Sequence, residues 1–341
     1  MKHTYFNTKS YLATMIAIFI LAISQAITAQ TKSDIESAIN EAYIKYENVT
    51  EGKNADYIPA LAEVDSKIFG IALITVDGTV YTKGDLTSKV SIQSISKVFT
   101  LASVINELGA DVVSSKIGVD ATCMKFNYAE FVERNKGKQG NPLVNAGAIA
   151  TTSMIKGADY NEKWNTIMAV MEGFAGSKLE VNQPVYESEA ATNQHNQALA
   201  FLMASFESMS WDNLQTTDLY TKQCAINVNA KDLGMMAATL ANGGTNPVTD
   251  KLVVSHETVA HVLSVMSTAG LYDDSGIWLY RTGVPSKSGV GGGIIAVVPC
   301  KFGIAVIAPP LDDAGNSVKA QLSIDYIIDK LGANPYLVQP K

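Results

Sequence analysis

Ser94-Ile95-Ser96-Lys97 sets a hydroxyl and an amine three residues apart at the head of an apolar, helix-like run formed by Val98, Phe99, Leu101, Ala102, Val104 and Ile105. On a helix, side chains at i and i+3 share one face. A serine hydroxyl is a poor nucleophile at neutral pH and needs a base within hydrogen-bond reach. A lysine can be that base if burial and cationic neighbours lower its pKa. The positive end of the helix would favour an oxyanion formed beside the serine. The pattern therefore predicts Ser-Lys acyl transfer, set against a plainer reading in which Ser94 caps the helix and Lys97 is solvated. Spacing alone does not decide between them, because a second copy, Ser153-Met154-Ile155-Lys156, is present.

A late motif adds to the first. Lys287-Ser288-Gly289, followed by Val290-Gly291-Gly292-Gly293, has the form of the Lys-Ser/Thr-Gly element that faces the nucleophile in β-lactamases and penicillin-binding proteins. An edge strand there can offer a backbone N–H to an oxyanion, and glycines let a substrate approach closely. The competing reading is a glycine-rich turn. The third element of those enzymes, a Ser-x-Asn or Tyr-x-Asn between the other two, is missing, which argues against an ordinary β-lactamase or transpeptidase. Other chemistries fit less well. His256 and His261 are five apart, about 140° around a helix, and cannot clamp one zinc as an i, i+4 pair can. The glycine run lacks a P-loop's ending and precedes a strand where a dinucleotide fingerprint follows one.

The elements that must position these groups are read from periodicity. A helix is expected over Ser33–Glu47, capped by serine, with Ile35, Ile39 and Ala42 apolar. Phe69–Thr75 and Val80–Lys83 flank Asp77-Gly78, the signal of a type I′ hairpin. From Ser94 to Ala269 the periodic segments look helical, at Asn145–Met154, Trp164–Phe174, Asn193–Ser208, Asn229–Ala241 and His256–Met266. Strands return at Gly293–Val298 and Phe302–Ala308, and Asn316–Leu331 closes as a helix. The order predicts an α+β fold in which one antiparallel sheet is built from both ends of the chain, flanked by the terminal helices, with a helical region inserted between its halves. The active site is expected at the seam.

Length and composition fit one catalytic unit: 341 residues, 47% hydrophobic. Residues 1–29 differ from the rest. Lys2 and Lys9 precede an uncharged stretch, Tyr11–Ala29, ending in small residues, so they read as a secretory signal peptide, with an uncleaved anchor as the alternative. The catalytic domain is then 30–341, and the protein is expected to be periplasmic or secreted. Losing two lysines and no acids takes the formal charge from −7 to −9. An acidic chain without a basic stripe is a poor partner for nucleic acid or, once the signal is cleaved, for an anionic membrane. Cys123, Cys224 and Cys300 are odd in number and far apart, so neither a disulfide framework nor a zinc site is indicated, although a single bridge stays open.

Seven segments stand in order along the chain: Ile92-Gln93-Ser94-Ile95-Ser96-Lys97-Val98-Phe99, Asn141-Pro142-Leu143-Val144-Asn145-Ala146-Gly147-Ala148-Ile149, Val185-Tyr186-Glu187-Ser188-Glu189, Leu219-Tyr220-Thr221-Lys222-Gln223-Cys224, Leu240-Ala241-Asn242-Gly243-Gly244, Tyr272-Asp273-Asp274-Ser275-Gly276 and Pro285-Ser286-Lys287-Ser288-Gly289-Val290-Gly291-Gly292-Gly293. Together they resemble the serine-dependent glutaminases. The resemblance implies a β-lactamase-like fold and hydrolysis of L-glutamine, with no metal, no cofactor and a homo-oligomer, dimer or tetramer. It implies that Ser94 is the nucleophile, Lys97 its base and Tyr272 an aid to proton transfer. The amides of Ser94 and Val290 would form the oxyanion hole. Asn145, Glu189, Asn196 and Tyr220 would hold the substrate, with Ser288 near the reacting centre.

Glutamine's chemistry agrees with that set: its ammonium calls for an anion such as Glu189, and its carboxylate and carboxamide for amide-type partners such as Asn145 and Asn196. Read singly, these are a surface glutamate, helix-capping asparagines and half-buried core tyrosines. The chain departs from the family at His195-Asn196-Gln197, where an Arg-Asn-Arg pattern is usual, so substrate affinity or its pH dependence is expected to differ. A penicillin-binding or β-lactam-hydrolysing Ser-Lys enzyme, or a glutamine-binding protein without turnover, are the rival readings.

Overall fold

The computed structural model describes residues 30–122 and 124–338. The segment read as a signal peptide lies outside them, as does Cys123. Among the described residues no helix is long and apolar enough to cross a membrane.

A five-stranded antiparallel sheet is the frame. Its strands are β1 (Gly70–Thr75), β2 (Val80–Gly84), β6 (Ser286–Gly289), β7 (Gly293–Val298) and β8 (Phe302–Ile307), in the order β2-β1-β8-β7-β6. The two ends of the chain meet where β1 pairs with β8, Gly70 opposite Ile307 and Thr75 opposite Phe302. One face of the sheet is covered by α1 (Lys32–Tyr46) and the C-terminal α14 (Val318–Lys330). Helix α1 turns Ile35, Ala38, Ile39 and Ala42 inward at helical spacing, and Ala320, Ile324, Ile327 and Ile328 do the same on α14. Alternation along the strands divides the core: Ile294, Ala296, Val298, Ile304 and Val306 face the terminal helices, whereas Ile295, Val297, Ala305 and Ile307 face the helical region.

Two local expectations need correction. The cap of α1 is Thr31, whose side chain accepts from the Asp34 N–H in a capping box, not Ser33. The β1–β2 turn is not type I′, since only Gly78 of the Asp77-Gly78 pair has positive φ (84°). The Gly78 N–H donates to Thr75 O and the Thr75 N–H to Thr79 O, which closes a three-residue loop.

The region between the sheet halves carries, in chain order, α3 (Ser96–Leu108), α4 (Ala110–Lys116), α5 (Ala129–Arg134), α6 (Asn145–Ser153), α7 (Tyr160–Ala175), α8 (Gln183–Ala190), α9 (Gln194–Ser205), α10 (Asn213–Cys224), α11 (Ala230–Ala241), α12 (His256–Ala269) and α13 (Ser275–Thr282); the four-residue α2 (Pro59–Ala62) precedes β1. Helix α11 lies directly on the sheet because its contact face is small. A Cβ on Gly303 of β8 would come within 2.1 Å of the Ala238 nitrogen, so only glycine permits that approach. A second, three-stranded sheet not expected from periodicity, β3 (Val90–Ser91), β5 (Ile226–Val228) and β4 (Glu180–Val181) in the order β3-β5-β4, ties together the segments that enter α3, α8 and α11.

Candidate active site

Strand β3 runs through Ile92, whose N–H donates to Ile226 O at 2.8 Å, into a 3₁₀ turn at Gln93–Ile95 that continues as α3. Gln93 has φ 49°, a left-handed conformation that costs a non-glycine residue free energy and persists only where its surroundings enforce it. This strained residue directly precedes Ser94, which is 7% exposed and lies on the wall of a cavity of about 360 Å³. The cavity opens where the helical region meets the sheet edge, as the seam argument expects.

Lys97 is fully buried one turn further on. Its Nζ donates to the Asn145 Oδ1 at 2.7 Å and to the Leu143 carbonyl at 3.2 Å. Among the described residues no carboxylate forms an ion pair with it, and burial lowers its pKa to about 8. Its two hydrogen-bond partners are thus a side-chain amide and a backbone carbonyl, and Ser94 is not one of them. Asn145 is the hub. Its Oδ1 also accepts from the Tyr220 hydroxyl at 3.2 Å, and its Nδ2 donates to Asn196 Oδ1 at 3.1 Å. With two donors on its oxygen, the amide can point only one way.

Tyr272 approaches from the other side of the seam. It opens a short 3₁₀ turn with φ 51°, a second strained residue, and its ring packs on Phe126 at 4.7 Å between centroids. Burial pushes its phenol up to about 12, offset in part by hydrogen bonding with Ser94 and Ser288; the hydroxyl donates to the Ser288 carbonyl at 3.5 Å. Lys287, wholly buried, sits 4.2 Å above the Tyr272 ring and donates to Gly270 O (2.9 Å) and Ser288 O (2.7 Å). The Ser288 Oγ is buried with no partner among the described residues.

The glycines after Ser288 have a steric reason. A Cβ on Gly289 would lie 2.7 Å from Ile92 O, and one on Gly291 would lie 2.2 Å from Ser91 O. Their absence lets the β6–β7 turn press against the segment ahead of Ser94 and brings Val290 to the cavity wall. Among the described residues neither the Ser94 nor the Val290 N–H has a protein acceptor, leaving two donors for an oxyanion.

Glu189, on α8, is 8% exposed and its pKa is pushed up to about 7 by burial, against the pull of the Gln93 side chain and of Lys97. Gln93 Nε2 donates to Glu189 Oε2 at 3.3 Å and to Ser91 Oγ at 3.1 Å, so the residue before Ser94 also holds the anion. Asn196 and Tyr220 share the cavity wall with Glu189. Tyr57, Gln93, Lys125, Phe126, Asn127, Asp273 and Asp313 line it as well, and sequence reading did not assign them to the site; most come from loops, which carry no periodic signal.

The other candidates fall elsewhere. The hydroxyl of Ser153 donates to Ala150 O at 2.6 Å and accepts from the Ser210 N–H at 3.0 Å, while Lys156 reaches out to Glu107 at 2.8 Å. That second Ser-x-x-Lys is a structural tie and a surface ion pair. His256 is exposed beside Glu257, and among the described residues no group of three or more His, Cys, Asp or Glu converges as metal ligands would. Cys224 is a buried free thiol and Cys300 an exposed one.

Ser94 and the buried carboxylate of Glu189 line one small cavity, with a half-buried tyrosine, Tyr272, and a buried lysine of lowered pKa, Lys97, outside its lining, a set suited to acyl transfer on an amine-bearing substrate. The Glutaminase family model matches residues 52–336. The chain belongs to the glutaminase family. It is 52% identical over 300 residues to a glutaminase of Colwellia psychrerythraea, covering 88% of this chain and 96% of that protein. A glutaminase of Mycobacterium ulcerans is 44% identical over 306 residues, covering 90% and 96%. Among solved structures, the probable glutaminase YbaS superposes with a TM-score of 0.89 at 41% identity, over 91% of this chain and all of that one. A probable glutaminase from Bacillus subtilis complexed with 6-diazo-5-oxo-L-norleucine superposes with a TM-score of 0.79 at 28% identity, over 90% and 98%. Family membership covers both halves of the sheet and the helical region, so the seam between them is part of the shared architecture.

Proposed function

We propose that the protein hydrolyses L-glutamine to L-glutamate and ammonia through an acyl-enzyme on Ser94, within a β-lactamase-like arrangement of sheet and inserted helices. The observation that carries the mechanism is Lys97 at a pKa of about 8, buried without a carboxylate partner one turn after a buried serine. A sizeable neutral fraction of this amine at pH 7–8 is the base the serine needs.

Glutamine enters with its ammonium toward Glu189 and its polar groups toward Asn145, Asn196 and Tyr220. Lys97 takes the Ser94 proton as Oγ attacks the side-chain amide carbon, and the oxyanion accepts from the Ser94 and Val290 N–H groups. The carbonyl reforms as the C–N bond breaks, and the departing nitrogen takes a proton delivered from Lys97 through the Tyr272 hydroxyl and leaves as ammonia. Water then attacks the γ-glutamyl ester with the amine again as base, glutamate leaves, and Ser94 regains its proton. Because Glu189 is an anion only when its proton is shed, the substrate ammonium both neutralises its buried charge and draws it to the ionised state.

The same reading makes this a homo-oligomeric enzyme acting in the periplasm or outside the cell, with residues 1–29 removed. The test is ammonia release by the purified protein from L-glutamine, L-asparagine and D-glutamine, with Ser94→Ala as control. Release from L-glutamine that vanishes in the variant supports the proposal. Silence on all three, with Ser94 labelled by a fluorescent penicillin, would replace it with a β-lactam-directed enzyme; glutamine binding by calorimetry without turnover would replace it with a binding protein.

A further inference from the structure

Behind the cavity, Asp218 on α10 accepts hydrogen bonds from two tyrosines on two other helices. The Tyr186 hydroxyl of α8 donates to its Oδ1 at 2.6 Å, and the Tyr160 hydroxyl of α7 donates to its Oδ2. All three side chains are half-buried. Neither tyrosine lines the cavity, nor does Asp218. Yet Tyr186 precedes Glu189 by three residues on α8, one turn back on the same face, and Asp218 precedes Tyr220 by two residues on α10. The carboxylate thus joins the helix that carries the buried anion to the helix that carries a buried hydroxyl of the same pocket.

We infer that Asp218 is a positioning residue for the ammonium pocket: it fixes the separation of Glu189 and Tyr220 by tying α8 to α10 through Tyr186, and it leaves the Ser94 chemistry alone. The inference rests on the glutaminase reading above. Three observations separate the tie from ordinary packing. Helix α8 is only eight residues long and its N-cap, Asn182, satisfies only its first turn, so its register against α10 needs a lateral fastening. A carboxylate accepting two phenolic protons makes charge-assisted bonds, stronger and more directional than apolar contacts. Asp218 also anchors to the rest of the helical region. Lys222, one turn along α10, stacks over the Tyr160 and Trp164 rings of α7 at 5.6 and 4.4 Å, so Tyr160 and Lys222 secure α10 to α7, while Tyr186 is the α8 residue that Asp218 holds; the Ala60 N–H to Ser188 Oγ at 3.2 Å and the Gln93 amide to Glu189 tie α8 to other segments. Burial, with Asp218 adding to it, raises the Tyr186 phenol to about 12, so the donor keeps its proton across the working pH range.

The division between Tyr186 and Tyr160 supplies the test. Steady-state kinetics on L-glutamine and calorimetric binding of L-glutamate would be measured for the full-length protein and for Asp218→Asn, Tyr186→Phe and Tyr160→Phe, with thermal midpoints alongside. Tyr186→Phe, which removes one hydroxyl and nothing else, is expected to raise KM and weaken glutamate binding about tenfold, the scale of one charge-assisted hydrogen bond, with kcat held within about twofold. Asp218→Asn, which keeps one acceptor oxygen but removes the charge behind both phenols, is expected to raise KM in the same direction and to lower the thermal midpoint as well, and the double variant to add little further to KM, because Asp218 and Tyr186 reach the pocket through one tie. Tyr160→Phe is expected to lower the thermal midpoint and leave KM unchanged. Equal KM for wild type and Tyr186→Phe, or a loss confined to kcat, would overturn the inference even if Asp218→Asn failed to fold. A wild-type protein that releases no ammonia would instead count against the glutaminase reading, while glutamate binding would still report on the tie.

Discussion

The Lys97 amine rests on the side-chain oxygen of Asn145 at 2.7 Å, a neutral acceptor where a carboxylate would have fixed the lysine as an ammonium. A carboxylate at that position would stabilise the cation and raise the pKa that burial lowers to about 8. Asn145→Asp is therefore expected to move the acid limb of the kcat–pH profile upward by one unit or more, and to cut turnover at pH 7 at least about tenfold. The sign is set by the base: less neutral amine survives at a given pH when its pKa rises. A pH–rate profile with the limb left near 8 would remove Lys97 as the base.

Ser94 and Ser153 head the two Ser-x-x-Lys copies, and the structure gives them opposite duties. Ser94→Ala is expected to abolish ammonia release, by a factor of order 10³ or more, because no other hydroxyl occupies its place beside the oxyanion donors. Ser153→Ala is expected to keep kcat and KM. It removes the acceptor for the Ser210 N–H and should lower stability by about 1 kcal/mol, visible as a depressed thermal midpoint. Loss of turnover in both would mean that the nucleophile is misassigned.

Much of this was legible in the sequence, for identifiable reasons. The sheet built from both ends and its two covering helices follow from continuous apolar runs and helical periodicity, as at Ile294–Val298 and Ile324–Ile328. The resemblance to the serine-dependent glutaminases named Ser94, Asn145, Glu189, Asn196, Tyr220 and Val290, which line one cavity, and Lys97, Tyr272 and Ser288, which are not among its lining residues. What was missed has no period. The two-residue strands β3 and β4 exist because the chain on either side is already placed, and helices α8 and α10 are polar enough that their buried stripe is faint. The strained φ of Gln93 and Tyr272 leaves no compositional trace, since neither is glycine or asparagine. Lys287 stands out in the sequence as the head of the Lys-Ser-Gly motif, but its full burial shows only once its two carbonyl partners converge on it.

Glu189 couples binding to stability. Its carboxyl sits at about 7 in the folded protein against 4.5 for a free side chain, so between those values the folded state holds a proton that the unfolded chain has shed. Its contribution to stability is thus fully present below pH 4.5 and is lost as pH rises through 7, leaving a buried anion whose direct hydrogen-bond partner is the Gln93 amide. Glu189→Gln is expected to raise KM for L-glutamine by two orders of magnitude or so, the loss of a buried ion pair to the ammonium. The same change should stabilise the empty protein at pH 8 by roughly 1–3 kcal/mol, with the gain disappearing below pH 5. Denaturant titrations at the two pH values check the second half; a variant less stable than wild type at pH 8 would mean that the folded protein satisfies this carboxylate by a route other than substrate.

His195, at the position where the family resemblance implies arginine, is tied to the Lys125–Asn127 loop that lines the cavity. Its Nε2 lies 2.6 Å from the Asn127 carbonyl, and the neighbouring Phe126 carbonyl accepts from the Asn145 N–H at 2.7 Å while the Phe126 ring packs on Tyr272. A carbonyl only accepts, so this nitrogen must carry its proton, and it does so both in the imidazolium and in the neutral tautomer protonated there. Removing the donor is another matter. His195→Ala frees the carbonyl that anchors the Lys125–Asn127 segment and loosens the ring against Tyr272, so kcat/KM should fall about five- to tenfold, the scale of one lost hydrogen bond. His195→Arg retains an N–H and is expected to stay within about twofold of wild type across pH 6–8, again judged on kcat/KM. If the alanine variant matched wild type while the arginine variant changed the pH profile, the role of position 195 would be electrostatic, acting through its charge near Asn196, and the tether would have no catalytic consequence.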